Sequence, residues 1–207
     1  MIALALTCLL LSDAPTEKSE SPIPRLTAAL DSDLKATRDD AADVLAALDP
    51  DEVWKGVKTK LRAGHQDTRR TVLRLIRTLA ITHAAGDVSR ALRSDDDAKV
   101  RREAAHTLAS IAPDRAVDPL TTAAFLDRAV IVRRAAIQDL GRIGTPEASD
   151  ALVDVLERCL ESGDEYLGDL ATRALTLATG QSFGDNLEGW RHWLDRAHHE
   201  ALDEEGF

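Results

Sequence analysis

The side chains best suited to chemistry in this chain are arginines in register. Arg70, Arg102 and Arg134 stand 32 residues apart, and Arg74 and His106 each follow an arginine of that set by four residues. A separation of four places two side chains on the same face of a helix. Arg70 with Arg74, and Arg102 with His106, therefore make two polar faces, and Arg77 extends the first. Arginine offers a rigid fork of donors that matches carboxylate and phosphate oxygens. The chemistry these residues predict is recognition of an anion, such as an acidic peptide, without bond making. A plainer reading, a solvated polar face, fits the same spacing.

Nothing else in the chain adds up to a reaction. The histidines (His65, His83, His106, His192, His198 and His199) show no metal-ligand spacing with cysteines or acids. His198-His199-Glu200 reads as an exposed tail. No glycine-rich phosphate loop and no nucleophile elbow occurs. The two cysteines, Cys8 and Cys159, are too few for a disulfide framework, and Cys159 reads as a small buried apolar residue. The sequence thus assigns no catalytic residue, no cofactor and no metal.

Charge narrows the choice of partner. The chain has 207 residues and a formal net charge of -10, unevenly spread. Residues 55–83 hold eight Lys or Arg against the single acid Asp67, and residues 144–207 hold fifteen acids against four Arg. A strongly negative surface repels a phosphate backbone, which makes nucleic acid an unfavourable partner. The basic island leaves room for a smaller anionic partner, and the acidic end could meet the basic island of another copy.

The elements that must position the arginines come from an internal repeat. One frame, an anchor followed by small or apolar residues three, seven and ten positions later, occurs five times. It reads Arg38/Ala41/Leu45/Leu48, Arg69/Val72/Ile76/Leu79, Arg101/Ala104/Leu108/Ile111, Arg133/Ala136/Leu140/Ile143 and, degenerately, Gly168/Ala171/Leu175/Ala178. The anchors are 31, 32, 32 and 35 residues apart. The last copy carries an insertion around residues 161–164. A fixed period of this size is the mark of stacked helical hairpins. A second series, Leu26/Leu30, Val57/Leu61, Val88/Leu92, Leu120/Ala124 and Leu152/Leu156, marks a first helix in each hairpin. Breaks fall between them, at Asp49-Pro50, Ala112-Pro113 and Gly144-Thr145-Pro146, where glycine ends one helix and proline opens the next. Few runs alternate with a period of two, so no sheet is expected. The prediction is an all-α chain: an α-solenoid of about five helical hairpins over residues 22–179.

The two ends differ from the repeats. Residues 1–21 combine the apolar run MIALALTCLLL with a polar stretch rich in Asp, Glu, Ser and Pro. This run looks like the core of a secretory signal, so export to a periplasm or cell envelope is expected, with a cytoplasmic location as the alternative. It lacks a basic start and a small-x-small cleavage site, so the true N-terminus stays open. No run reaches the roughly 18 apolar residues of a membrane span. Residues 180–207 form the other end. Trp190, Trp193 and Leu194 share a helix face there and predict a cap that closes the last hairpin.

The pattern resembles the HEAT-repeat family in its short, PBS-lyase-like form. The residues that carry this are Val100-Arg101-Arg102 with Ala104-Ala105 and Leu108, and Val132-Arg133-Arg134 with Ala135-Ala136, Leu140, Gly141 and Ile143. The run from Thr179 to Asp185, Thr-Gly-Gln-Ser-Phe-Gly-Asp, followed by Trp190 and Trp193, is similar to the ending of some bacterial HEAT arrays. The resemblance covers residues 22–195 and implies that the solenoid is a right-handed, armadillo/HEAT-like superhelix. It implies an interaction surface on the concave side, lined by second helices and including Arg70, Arg74, Arg77, Arg102, His106 and Arg134. It also implies a structural ladder in which the anchors Arg38, Arg69, Arg101 and Arg133 join aspartates near the turns; Asp95 and Asp127 each stand six residues before an anchor. The paired His-Glu motifs of HEAT-type iron hydroxylases are missing, and no bilin-lyase catalytic residue can be carried over. The expected role is a non-catalytic scaffold or adaptor. A lyase-like or nucleic-acid-modifying enzyme that binds an anionic ligand is the alternative.

The charge asymmetry generates one direct expectation. If the basic island of one copy meets the acidic end of another, light scattering will show an oligomer at low salt that dissociates as screening shortens the reach of charge to about 8 Å at physiological ionic strength. A monomer of unchanged mass at both salt concentrations removes this mode of self-association.

Overall fold

The computed structural model describes residues 21–204, with side chains described as far as residue 200. The apolar opening run, Cys8 and the last residues of the acidic end lie outside the described residues. Every regular element among the described residues is helical. Two compact units divide at Leu79 and Ala80. In the first unit, α1 (Ile23–Ala29) pairs with α2 (Lys35–Leu45), and α3 (Pro50–Ala63) with α4 (Gln66–Thr78). In the second, a short 3-10 turn at Thr82–Ala84 leads into α5 (Ala85–Ser94), which pairs with α6 (Ala98–Ile111). Then α7 (Pro113–Leu126) pairs with α8 (Val130–Ile143), and α9 (Pro146–Ser162) with α10 (Glu165–Thr179). The closing helix is α11 (Leu187–Glu204).

Within each unit the helices form two layers. First helices pack on first helices (α1 on α3; α5 on α7 on α9), and second helices on second helices (α2 on α4; α6 on α8 on α10). This is the hairpin stacking expected from the repeat, and the all-α expectation holds. The frame explains it residue by residue. Ala41, Val72, Ala104, Ala136 and Ala171, three residues after the anchors, are all buried, as are Leu45, Ile76, Leu108, Leu140 and Leu175, seven after. Of the residues ten after, only Ile111 is buried, because this position falls on the last turn of the helix or just past it. The marker pairs of the first helices are buried throughout.

Local chemistry sets the boundaries. The Asp49 side chain accepts hydrogen bonds from the Asp51 and Glu52 amides at 3.1 and 3.0 Å. Asp97 does the same for Lys99 and Val100 at 2.8 and 3.0 Å. Both satisfy donors that a helix start otherwise leaves bare. Pro50, Pro113 and Pro146 open α3, α7 and α9, where a missing N–H costs nothing. Gly144, Gly163 and Gly180 end α8, α9 and α10 in the left-handed region, with φ of 66°, 69° and 71°. The same position after α4 holds Ala80, with φ of 50°. A side chain there is crowded by its own backbone.

The second helices also approach closely. A Cβ added at Gly141 of α8 would stand 2.9 Å from the Cβ of Ala174 on α10 and 3.0 Å from its backbone. Two substitutions therefore act in opposite directions. Ala80→Gly relieves the left-handed alanine and raises stability by about 0.5–1 kcal/mol. Gly141→Ala forces two helices apart, and overpacking of about 1–3 kcal/mol outweighs its gain of about 1 kcal/mol in helix propensity. Thermal or denaturant unfolding of the two variants reads both signs.

Candidate functional site

Each anchor arginine folds back on the turn before its own helix. Arg38 Nη1 donates to the carbonyls of Ser32 and Asp33 at 2.6 and 3.1 Å. Arg69 Nη1 donates to the Gly64 carbonyl at 2.9 Å. Arg101 Nη1 reaches the Asp95 and Asp96 carbonyls at 2.9 and 3.2 Å, and Arg133 Nη1 that of Asp127 at 3.0 Å. The acceptors are carbonyls where the first helix gives way to the turn, where helix geometry leaves them without an internal donor.

The carboxylates come from the following repeat. Asp127 takes two bonds from Arg101, at 2.7 Å from Nε and 2.8 Å from Nη2. Asp67 lies 3.4 Å from Arg38 Nη2. Asp127 thus offers Arg133 its backbone oxygen, while its side chain points to Arg101 of the repeat before. Burial pushes the Asp127 carboxyl up. The hydrogen bonds from Arg101 and the Ala129 amide, with the charges of Arg101 and Arg128, outweigh this and hold it below the usual carboxylate value. The hydrogen bond to Asp127 in turn raises the Arg101 guanidinium.

In the first unit, Arg70, Arg74 and Arg77 all lie on α4 and are half-buried. Arg70 Nη1 is 3.2 Å from Asp67, so this aspartate is shared between Arg70 and Arg38. In the second unit, Arg102 and His106 share one face of α6. The His106 Nδ1 lies 2.7 Å from Asp139 Oδ2 on α8, and Arg142 Nη1 lies 2.6 Å from the other oxygen, Oδ1. Asp139 is only 2% exposed. Arg134, five residues before Asp139 on α8, has its Nη1 3.5 Å from the hydroxyl of Tyr166 on α10. Among the described residues, neither Arg102 nor Arg134 has a carboxylate at ion-pairing distance, and the buried Arg102 Nε has no hydrogen-bond partner.

Asp139, Arg142 and Tyr166 were not singled out from the sequence. A signal for Asp139 was there. The column six after the anchors reads Val44, Leu75, Thr107, Asp139 and Ala174. One carboxylate in a column of apolar and small residues, on a helix face that packs, needs a partner. Tyr166 had no comparable signal, because the insertion before it shifts the last repeat out of register.

At the end of the chain, α11 packs on α9. Trp190 is fully buried, its Nε1 donates to the Gly184 carbonyl at 2.9 Å, and Phe183 meets its ring edge-on at 4.9 Å between centroids. Leu194 is buried beside it, whereas Trp193 is half-buried. The indole that fills the cap is therefore Trp190, and Trp193 sits at its margin. Cys159 is buried, and burial pushes its thiol up, which disfavours the reactive thiolate. Among the described residues, no group of three or more His, Cys, Asp or Glu is placed to hold a metal ion, and no helix is long and apolar enough to cross a membrane.

Comparison with sequence families agrees with this architecture over part of the chain. The sequence model for HEAT repeats matches residues 87–176. The sequence matches no curated protein. Among solved structures, a chain from the complex of CpcE and CpcF of phycocyanin lyase from Nostoc sp. is similar at 19% identity, over 86% of this chain and 81% of that one, with a TM-score of 0.42. A likeness at that level does not bear on what this chain does.

The Arg101–Asp127 pair yields a pH-dependent expectation. Because the folded carboxyl lies below its ordinary value, the pair stabilises fully above about pH 4 and loses that contribution as pH falls through the lowered value. Asp127→Asn should therefore flatten the acid limb of a plot of melting temperature against pH. At neutral pH, Arg101→Met leaves a carboxylate that is 8% exposed without its partner and costs about 3 kcal/mol. Arg90→Ala, which removes a guanidinium that is 58% exposed from its pair with Asp87, costs about 0–1 kcal/mol. Equal losses for the two arginine variants would contradict the assignment.

Proposed function

We propose that this protein, whose residues 87–176 are HEAT repeats, is a non-catalytic scaffold that presents the second-helix faces of its hairpins to an acidic segment of another protein. One observation carries the reading: Arg102 and Arg134 occupy the same position on neighbouring second helices and have no carboxylate partner among the described residues. Elsewhere, arginines that hold the stack together are engaged by aspartates or turn carbonyls, as Arg38 and Arg101 are. An unneutralised pair of guanidiniums in a chain of net charge -10 favours an anionic partner of modest size, since a long polyanion would meet repulsion from the remaining surface. Arg70, Arg74 and Arg77 of the first unit offer a second basic stretch for the same kind of contact.

The test is affinity capture from native extract, comparing wild type with the double variant Arg102→Glu and Arg134→Glu. A protein retained by the wild type and lost by the variant supports the scaffold and identifies its partner. Identical captures overturn the assignment of this face. Retention of a bilin or of DNA by the purified wild type, in place of a protein, would favour the enzyme alternative.

A further inference from the structure

The geometry around Asp139 narrows the chemistry of the acidic group that the partner presents. Asp139 sits at the α6–α8 contact with one oxygen on Arg142 and the other on His106. A carboxylate held by an arginine accepts and does not donate, so the proton between it and the imidazole belongs to Nδ1. That fixes the ring and leaves Nε2 as its second functional atom. Nε2 makes no hydrogen bond among the described residues, and the side chain is 27% exposed. One turn before it on the same face stands Arg102, with its Nε buried and unpartnered. On the adjoining helix stands Arg134, its guanidinium beside the Tyr166 hydroxyl. The negative charge of Asp139 is offset by Arg142, which pairs with the oxygen that His106 does not use.

We propose that Arg102, His106 and Arg134 form a single oxyanion site, with Asp139 as the positioning residue that holds the imidazole and Tyr166 as its border on α10. The ligand is a carboxylate or phosphoryl oxyanion displayed by a peptide. The site rests on the scaffold reading and gives its contact a chemistry. In the bound state, the two guanidinium forks converge on the oxygens of one acidic side chain or of two neighbouring ones, and the imidazole Nε2 donates to them when it carries a proton. Charge-assisted bonds of this kind are about twice as strong as neutral ones.

The experiment is fluorescence anisotropy with the full chain at low ionic strength. Labelled hexaglutamate, hexaglutamine and a phosphoserine hexapeptide are titrated, with inorganic phosphate as competitor. The wild type should bind an anionic peptide and ignore hexaglutamine. Displacement of the phosphoserine peptide by inorganic phosphate, with hexaglutamate bound weakly, assigns the phosphoryl source; the reverse order assigns carboxylates. Arg102→Ala and Arg134→Ala should each weaken binding roughly tenfold, the loss expected for one charge-assisted contact, while Arg128→Ala at the turn edge changes nothing.

The role of Asp139 is read separately. In the wild type, the ring nitrogens of His106 should show a protonated Nδ1 by nitrogen NMR, and Asp139→Asn should remove that preference together with affinity. Wild-type affinity in the Arg102/Arg134 double alanine variant, or no binding of either anionic peptide by the wild type, overturns the site. The two readings fail in different ways. A cellular partner still captured by the double alanine variant sinks the oxyanion site and keeps a scaffold. Peptide binding without any captured protein partner sinks the scaffold and keeps the site.

Discussion

A helical hairpin of about thirty residues has more apolar surface than it can cover by itself, and the second unit is shaped by how that surface is hidden. Ala104, Ala136 and Ala171 let the second helices come close, and Leu108, Leu140 and Leu175 fill the space one turn further on. Each buried leucine contributes roughly 2 kcal/mol by removing its side chain from water. None of them is buried by its own helix. The contribution exists only when the next hairpin is in register, so cohesion is a property of neighbours and not of any single repeat. The close contact of Gly141 with Ala174 marks how little slack this leaves.

Register then decides where the polar groups go. Once the columns three and seven after the anchors face inward, the anchor itself lies at the start of the helix, within reach of the preceding turn. Its guanidinium closes carbonyls that the first helix leaves open. Where the next repeat supplies a carboxylate at the right height, as Asp127 does for Arg101, two repeats are tied at their turns. The neighbouring column, one residue on, is rotated outward by the same geometry. This is why Arg101 is buried while Arg102 is half-buried and Arg134 exposed.

The architecture was legible because it is written in periodic apolar residues. The frame located every second helix, and the paired apolar residues located every first helix. Asp-Pro and Gly-Thr-Pro punctuation placed the breaks. What the sequence could not show was the partner of each polar residue, because partners lie about one repeat away at separations that vary. Asp127 stands 26 residues after Arg101, Asp67 29 after Arg38, and Asp139 33 after His106. Those offsets depend on how much each turn lifts one helix against the next. The oddity of an aspartate in the column of Val44, Leu75, Thr107 and Ala174 was visible, but its meaning needed three dimensions. Trp193 shows the converse: helical spacing alone pairs it with Trp190, and only packing shows that one ring fills the cap.

That cap sits on one layer only. Helix α11 takes the place beside α9 that the first helix of another hairpin would take, and Trp190 and Leu194 fill the contact. No second helix follows it among the described residues, and Leu177 of α10 is 67% exposed. The stack is therefore a module with a preferred place for growth. A duplicated hairpin inserted at Gly144, between α8 and α9, would meet on either side the kind of surface its neighbours already present, and the array would lengthen by one period. The same hairpin appended beyond α11 would find its first-helix seat occupied and only half a footing left. Gene duplication within the array can lengthen such a stack, whereas a copy placed directly after α11 meets a first-helix seat that α11 already fills.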